Sequence, residues 1–327
     1  MADNEIDLMQ WQIGTQTVFD TAVAPTAKLI GVTEGEIAPV IETSAVREQR
    51  ATLAPAYQAT VDSVTGEATV SGEATFEQIG YHLDSLLGQA TPGAGPGYTR
   101  EHAGPIGSKP SPRILTLTHG SSLDARCLKG AIGNEFTLSG ETNKRLTYES
   151  KFIGHSVEAD TLASLSDISP NYIHANQAVI SLDTWAGTMG ATVLDTIAYN
   201  FEIGLNMNKA VRMGIGSSRP KGHKHMRSES DNNQLNLSLE LHATTTGYYN
   251  NIITATSTPW QAQIQIAFTL GSLLFTIQYA GYAAEAPVYI ADTDGIATLE
   301  FVFSPMYHPV FANWFKSSLT NGIAVLP

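Results

Sequence analysis

Two stretches of this chain carry one pattern of alternation, 167 residues apart, and that repeat limits what the chain can become. In the first, Glu67, Thr69, Ser71, Glu73 and Thr75 fall on one side, while Ala68, Val70, Ala74 and Phe76 fall on the other. In the second, Gln234, Asn236, Ser238, Glu240 and His242 alternate with Leu235, Leu237, Leu239 and Leu241. A period of two marks a strand with one wet face and one packed face. Gly80-Tyr81 returns as Gly247-Tyr248, and Thr91-Pro92 as Thr258-Pro259, at the same separation. A slip of one residue would invert every side chain. Shared parity over such a block, without a gap, reads as an internal duplication.

Each strand runs into a helical pattern. Phe76, Ile79, Leu83, Leu86 and Leu87 lie on one stripe. Thr75 with Gln78 predicts a capping box, and Gly88 a stop. The second helix is expected over Thr244 to Thr254 and is weaker, because threonine, tyrosine and asparagine are poor helix formers.

The chain of 327 residues suits two domains, 1–175 and 176–327, joined across the polar, Pro170-containing stretch Asp160 to Asn176. Met1 to Thr26 is expected to be an irregular lead-in anchored by Trp11 and Phe19. Strands are expected at Lys28 to Ile41, Tyr57 to Val64, Arg113 to Thr118, Ala125 to Leu128, Phe136 to Leu138 and Leu146 to Ile153. Thr65-Gly66 is expected to be a turn and Thr91 to Pro112 a loop. In the second half, strands are expected at Val179 to Leu182, Tyr199 to Val211, Gln263 to Thr269, Leu274 to Tyr279 and Ile296 to Phe303. Phe311, Trp314 and Phe315 are expected to close in a short helix or turn. The fold class expected is mainly β: two tandem β-sandwich or open-barrel domains, each with one α-helix, related by duplication.

With 43% hydrophobic and 15% charged residues, the composition is globular, and charge is sparse for a surface left uncovered. The net charge of −13 opposes a grip on nucleic acid. Cys127 is the one cysteine, which excludes an intrachain disulfide and suits a buried thiol from a reducing cytoplasm. Met1 to Asp7 is acidic, without a basic start or an apolar run, so no secretory leader is expected. No stretch is long and apolar enough to span a bilayer as a helix.

Motifs that carry chemistry are missing. Gly93, Gly95 and Gly97 enclose Pro96 and open no helix, which excludes a dinucleotide or phosphate loop. His223 and His225 sit among Arg219, Lys221 and Arg227, which would oppose a metal cation. Asp160 with Asp167, or Asp292 with Asp294, lack any orienting group, and residues 292–295 read as a hairpin tip. No cofactor, metal or enzymatic activity is expected.

The informative surface is the repeated wet face. Small polar and acidic side chains fill it, and neither copy holds a Lys or Arg. A chain with two equivalent sheets closes a ring with half as many subunits. Sheets joined edge to edge would turn that face into the wall of a lumen, one that repels DNA phosphates and lets DNA slide. The residues expected there are Glu67, Thr69, Ser71, Glu73, Gln234, Asn236, Ser238 and Glu240. Basic loops at Arg47 and Arg50, and at Arg219, Lys221 and Arg227, are expected to reach an acidic rim on the next ring.

The order of elements resembles the major tail tube protein of long, non-contractile-tailed bacteriophages, of the duplicated-domain kind. The residues that carry the likeness are Leu29 to Val32 after Thr21-Ala22-Val23-Ala24-Pro25-Thr26, and Ser71-Gly72-Glu73 running into Phe76 to Gly88. Gly133-Asn134-Glu135-Phe136-Thr137-Leu138 followed by Tyr148 to Gly154 carries it further, with Thr188-Met189-Gly190 opening the second copy. The resemblance implies a sandwich-like subunit whose hairpins line a lumen. It also implies trimeric rings with pseudo-sixfold inner barrels, stacked around a tape-measure protein. Tail terminator and tail tip proteins are the further partners implied, DNA passes through without specific binding, and no membrane is involved. The place implied is the virion tail, after synthesis in the host cytoplasm. The competing reading is a β-sandwich carbohydrate- or receptor-binding virion module, for which Tyr248, Tyr249 and Trp260 would supply the aromatics.

Overall fold

A computed structural model of the chain describes residues 9–46, 56, 58–93, 97–107, 111–194, 198–225, 233–241, 243–255, 257–293 and 296–324. The first-half strands are β1 (Gln10–Gln16), β2 (Ala27–Leu29), β3 (Val32–Val46), β4 (Gln58–Glu73), β5 (Tyr98–Ala103), β6 (Ile114–Gly120), β7 (Ala125–Glu141), β8 (Thr147–Gly154) and β9 (Ser156–Asp160). The second-half strands are β10 (Ala178–Thr184), β11 (Ala198–Asn206), β12 (Lys209–Val211), β13 (His223–His225), β14 (Leu235–Glu240), β15 (Gln261–Leu270), β16 (Leu273–Ala283), β17 (Val288–Thr293), β18 (Ile296–Pro305) and β19 (Phe315–Asn321). The helices are α1 (Ile79–Leu87) and α2 (Ala243–Ile253).

One set of antiparallel pairings occurs twice in the same order. β1–β6, β6–β7, β7–β9, β3–β4, β4–β8 and β7–β8 of the first half return as β10–β15, β15–β16, β16–β19, β11–β14, β14–β18 and β17–β18. β7 stands for both β16 and β17. In the second half that long strand is interrupted before Val288, where Pro287 has no N–H to offer a ladder. The halves then join. β7 pairs with β11, Ser139 opposite Glu202 and Thr137 opposite Gly204, so both inner sheets become one.

Several expectations are corrected. The lead-in is not irregular: Gln10–Gln16 is a strand whose Trp11 is buried and stacks on the His119 ring at 4.3 Å. Thr65-Gly66 is no turn, because β4 runs straight through it; Gly66 is needed where Leu128 and Val157 leave no room for a Cβ. β5 lies inside the expected loop, and Phe315 opens a strand. The strand expected over Tyr199 to Val211 breaks at Asn208, which turns to a φ of 44°. Only half of the capping box forms. The Thr75 hydroxyl accepts from the Gln78 N–H at 3.3 Å, but the Gln78 side chain reaches instead to Ile30 N and Lys28 O. Gly88 stops the helix with a φ of 131°, its N–H donating to Asp84 O. α2 forms where expected.

Every residue of α1 is buried. Its apolar stripe packs with Val70, Phe136, Leu138 and Phe152 in one core cluster that runs on through Ile203, Leu237 and Phe301 of the second half. His82 lies in this core. It shares a 2.8 Å hydrogen bond with Ser150 Oγ and sits 4.5 Å from the Tyr148 ring. Burial pushes its pKa down from 6.5 to about 3. The unfolded chain therefore takes up a proton that the folded chain refuses. Stability is full above pH 6.5 and falls as pH drops toward 3. At pH 4.5 this one residue should cost about 2–3 kcal/mol, and His82→Gln should flatten the acid limb of stability against pH in urea titrations.

The halves are also tied through polar groups. β5 pairs with β19, and the buried Arg100 donates to Asn321 Oδ1 at 3.0 Å and to Ile323 O at 2.6 Å. The fully buried Asp84 faces His102 Nε2 at 2.8 Å and Arg113 Nε at 3.1 Å. Cys127 is buried, and burial pushes its thiol up to about 11.

Candidate functional site

Eight strands run in the order β3-β4-β8-β7-β11-β14-β18-β17, and strand parity carries one polar face across them. A single cross-strand row passes Glu73, Thr147, Ser139, Glu202, Asn236 and Val302. Another passes Glu36, Thr69, Lys151, Glu135 and Asn206. Residues opposite one another share a face, so the wet sides of both repeats belong to one surface.

All eight residues expected on that surface lie at or beside it. Glu67 is exposed, and Thr69, Ser71 and Glu73 are half-buried. In the second repeat Gln234, Asn236 and Glu240 are half-buried and Ser238 is buried. The second repeat is thus the more covered, and among the described residues Asn236 Oδ1 finds no donor. The opposite side carries the buried Val70, Phe136, Leu138, Phe152, Phe201, Leu237 and Phe301. His242 lies outside the described residues.

The intervening strands add charge that the repeat did not reveal. Glu34, Glu36, Glu135, Glu141, Glu149, Glu202 and Glu300 join the face by register. Among the described residues of those strands, Lys151 is the one cation on it. Lys151 Nζ sits 2.8 Å from Glu135 and 3.9 Å from Glu149, and its hydrogen bond to Glu135 raises its pKa. Glu135 also accepts from Asn206 Nδ2 at 2.9 Å. Glu73 is not a bare charge: Arg145 pairs with it from the β7–β8 turn and lies 4.1 Å over the Tyr172 ring. The alternation in Thr147 to Lys151, and of Glu202 with Phe201 and Ile203, was the signal for these residues.

The stagger between the repeats has geometric meaning. Glu240 is the counterpart of Glu73, yet the residue in the row of Glu73 is Asn236. The pattern therefore slides four residues along the strand while crossing from β4 to β14, four strands away. One residue of slide per strand tilts the strands by about 35° from the axis of any closed sheet, at about 3.3 Å rise and 4.8 Å spacing. Closed barrels hold tilts of about 35–45°.

The basic loop of the second half is folded onto the first. Arg219 Nη1 meets Glu158 at 3.3 Å, and Val64 N donates to Ser218 O at 2.7 Å. Lys221 is exposed. Arg47, Arg50 and Arg227 lie outside the described residues. The aromatic trio makes no open platform. Tyr248 stacks on Trp260 at 5.3 Å, Trp260 packs on Phe301 and Phe303, and Tyr249 is partly buried against the core. Among the described residues no three His, Cys, Asp or Glu side chains converge as a metal site, and no helix is long and apolar enough to cross a membrane.

No curated protein matches the chain. A family model described as phage tail tube protein matches residues 9–305. That span takes in the first repeat of the pairing pattern, every strand of the second except β19, and the whole polar face, and on it the chain belongs to the phage tail tube proteins.

Proposed function

We propose that three copies of the chain close into a ring, that rings stack into the tail tube of a long, non-contractile-tailed phage, and that the acidic face lines the channel through which DNA leaves. The observation that carries this reading is the continuous eight-stranded sheet with its polar side. Its ends are β3 and β17, which pair on one side only among the described residues. The β7–β11 joint supplies a template for the closing contact. β17 of one copy takes the place of β7, and β3 of a second copy that of β11. At one residue of slide per strand, three copies give a barrel about 45 Å across between backbones and two copies about 30 Å. With side chains filling both walls, the larger ring leaves room for a hydrated duplex and the smaller does not.

The halves 1–175 and 176–327 act as two pseudo-equivalent units of that ring. Lys221 and Arg219, with Arg47, Arg50 and Arg227, contact the acidic rim of the next ring. The tape-measure protein occupies the lumen before DNA does, and terminator and tip proteins cap the two ends. The family membership and the sheet support this reading. The partly buried Tyr248–Trp260 stack speaks against a receptor-binding module. Negative-stain microscopy with mass measurement of the purified protein tests it. Rings or tubes whose subunit number is a multiple of three are expected. Compact monomers at every concentration, or rings of another order, would refute it.

A further inference from the structure

The repeat produces two hairpins, and the fold treats them differently. The first, made by β3 and β4, continues past the body of the chain: Ile41 is 56% and Val61 54% exposed, and residues 41–45 and 58–62 are exposed throughout. The second does not continue. At Met207 and Asn208 the strand bends, and β12 with β13 turns back over the first half.

Lys209 stands at that bend, 5% exposed. Its Nζ donates to Ser85 O at 2.9 Å, Leu86 O at 2.6 Å and Gly133 O at 2.7 Å. Its backbone N donates to Asn134 Oδ1 at 2.6 Å, and Met207 N to Asn134 O at 2.9 Å. Ser85 and Leu86 belong to the last turn of α1, whose carbonyls have no partner within the helix and carry its negative end. An ammonium has three donors and meets three acceptors here. Burial in the same place pushes the Lys209 pKa down to about 7. At the corresponding positions of the first hairpin stand Glu42 and Thr43, neither of which is a cation.

We propose that Lys209 is a clasp: it holds the second hairpin against the first half of its own chain, so that of the two hairpins the first extends beyond the body of the chain and the second is fixed upon it. The clasp is a property of the single chain; its consequence for assembly rests on the tube reading. The joint inside the chain is locked by Lys209 in a cage of three carbonyls, and the first hairpin has no lysine or arginine at the corresponding positions 42 and 43.

Hydrogen exchange of the full chain tests the clasp. In the wild type, amides of 207–224 should exchange at least about tenfold more slowly than those of 41–45 and 58–62. Lys209→Met should speed exchange at 207–224 and at 85–88 by about tenfold or more, with β4 and β14 unchanged. In Lys209→Gly, n-butylammonium should restore protection at 207–224. Tetramethylammonium, with the same charge and no N–H, should not. Equal exchange of the two wild-type hairpins overturns the proposal even where a variant does not fold. Unchanged exchange in a folded Lys209→Met, or rescue by both amines alike, overturns it too. Microscopy of the same samples separates the two ideas: absence of rings from the wild type refutes the tube reading and leaves the exchange result standing.

Discussion

Asp84→Ala should destabilise the protein by about 3–5 kcal/mol, the largest loss expected from any one side chain here. The carboxylate is fully buried on α1. It faces His102 Nε2 at 2.8 Å and Arg113 Nε at 3.1 Å, and it accepts from Ala90 N at 3.1 Å. Arg113 and Arg100 are both buried nearby. Deleting the anion leaves two guanidinium groups in the interior without a carboxylate, and an uncompensated buried charge costs far more than a lost surface pair. Domains of this kind hold only about 5–15 kcal/mol in total, so the variant would stand close to its unfolding midpoint. The damage should also be directional. His102 and Arg100 lie on β5, β5 pairs with β19, and Arg100 holds Asn321. The last strand should therefore lose exchange protection before β4 does. A urea midpoint equal to wild type would show that Asp84 is dispensable and that the junction rests on apolar packing.

The sequence announced the sheet and hid the joints. Alternation at Glu67 to Phe76 and at Gln234 to Leu241 reads directly because a half-buried strand obliges every second residue to be apolar. The shared parity read as duplication, and the paired topology repeats accordingly. Glycine misled at Gly66: a turn and a tight packing contact both ask for a missing Cβ, and the sequence alone does not separate them. β5 was lost because Arg100 and His102 look like solvent residues, although both are buried against partners 221 and 18 residues away, respectively. Lys209 was invisible for the same reason. Its acceptors are backbone carbonyls at 85, 86 and 133, which have no letter in a sequence. The acidic face was legible in part. Period two placed Glu67, Glu73 and Glu240, but strand order decides which other carboxylates lie beside them, and strand order is a long-range fact.

If the polar face lines the DNA channel as proposed, placing lysines on it should stall DNA without disturbing the fold. The variant to build is Glu36→Lys with Glu67→Lys and Glu202→Lys. All three side chains are exposed on inner-sheet strands, spread from β3 to β11. Each exposed substitution should change monomer stability by no more than about 0.5 kcal/mol, so tubes should still assemble. On the tube reading proposed above, however, three lysines per chain would give DNA phosphates cationic contacts on a wall where, among the described residues of its strands, Lys151 is the one cation of the wild type. Each phosphate held releases counterions, and a protein making six to ten such contacts loses about 10³–10⁵-fold in affinity between 50 and 200 mM salt. A tube repeats the contacts in every ring, so DNA in the variant should move slowly at low salt and recover steeply as salt rises. Wild-type ejection should depend only weakly on salt over that range. The measurement is the ejection rate of single particles against ionic strength. Variant particles that assemble normally and eject at the wild-type rate in low salt would mean that this face looks away from the DNA path, because added lysines repeated in every ring cannot leave a sliding polyanion unaffected within about one Debye length.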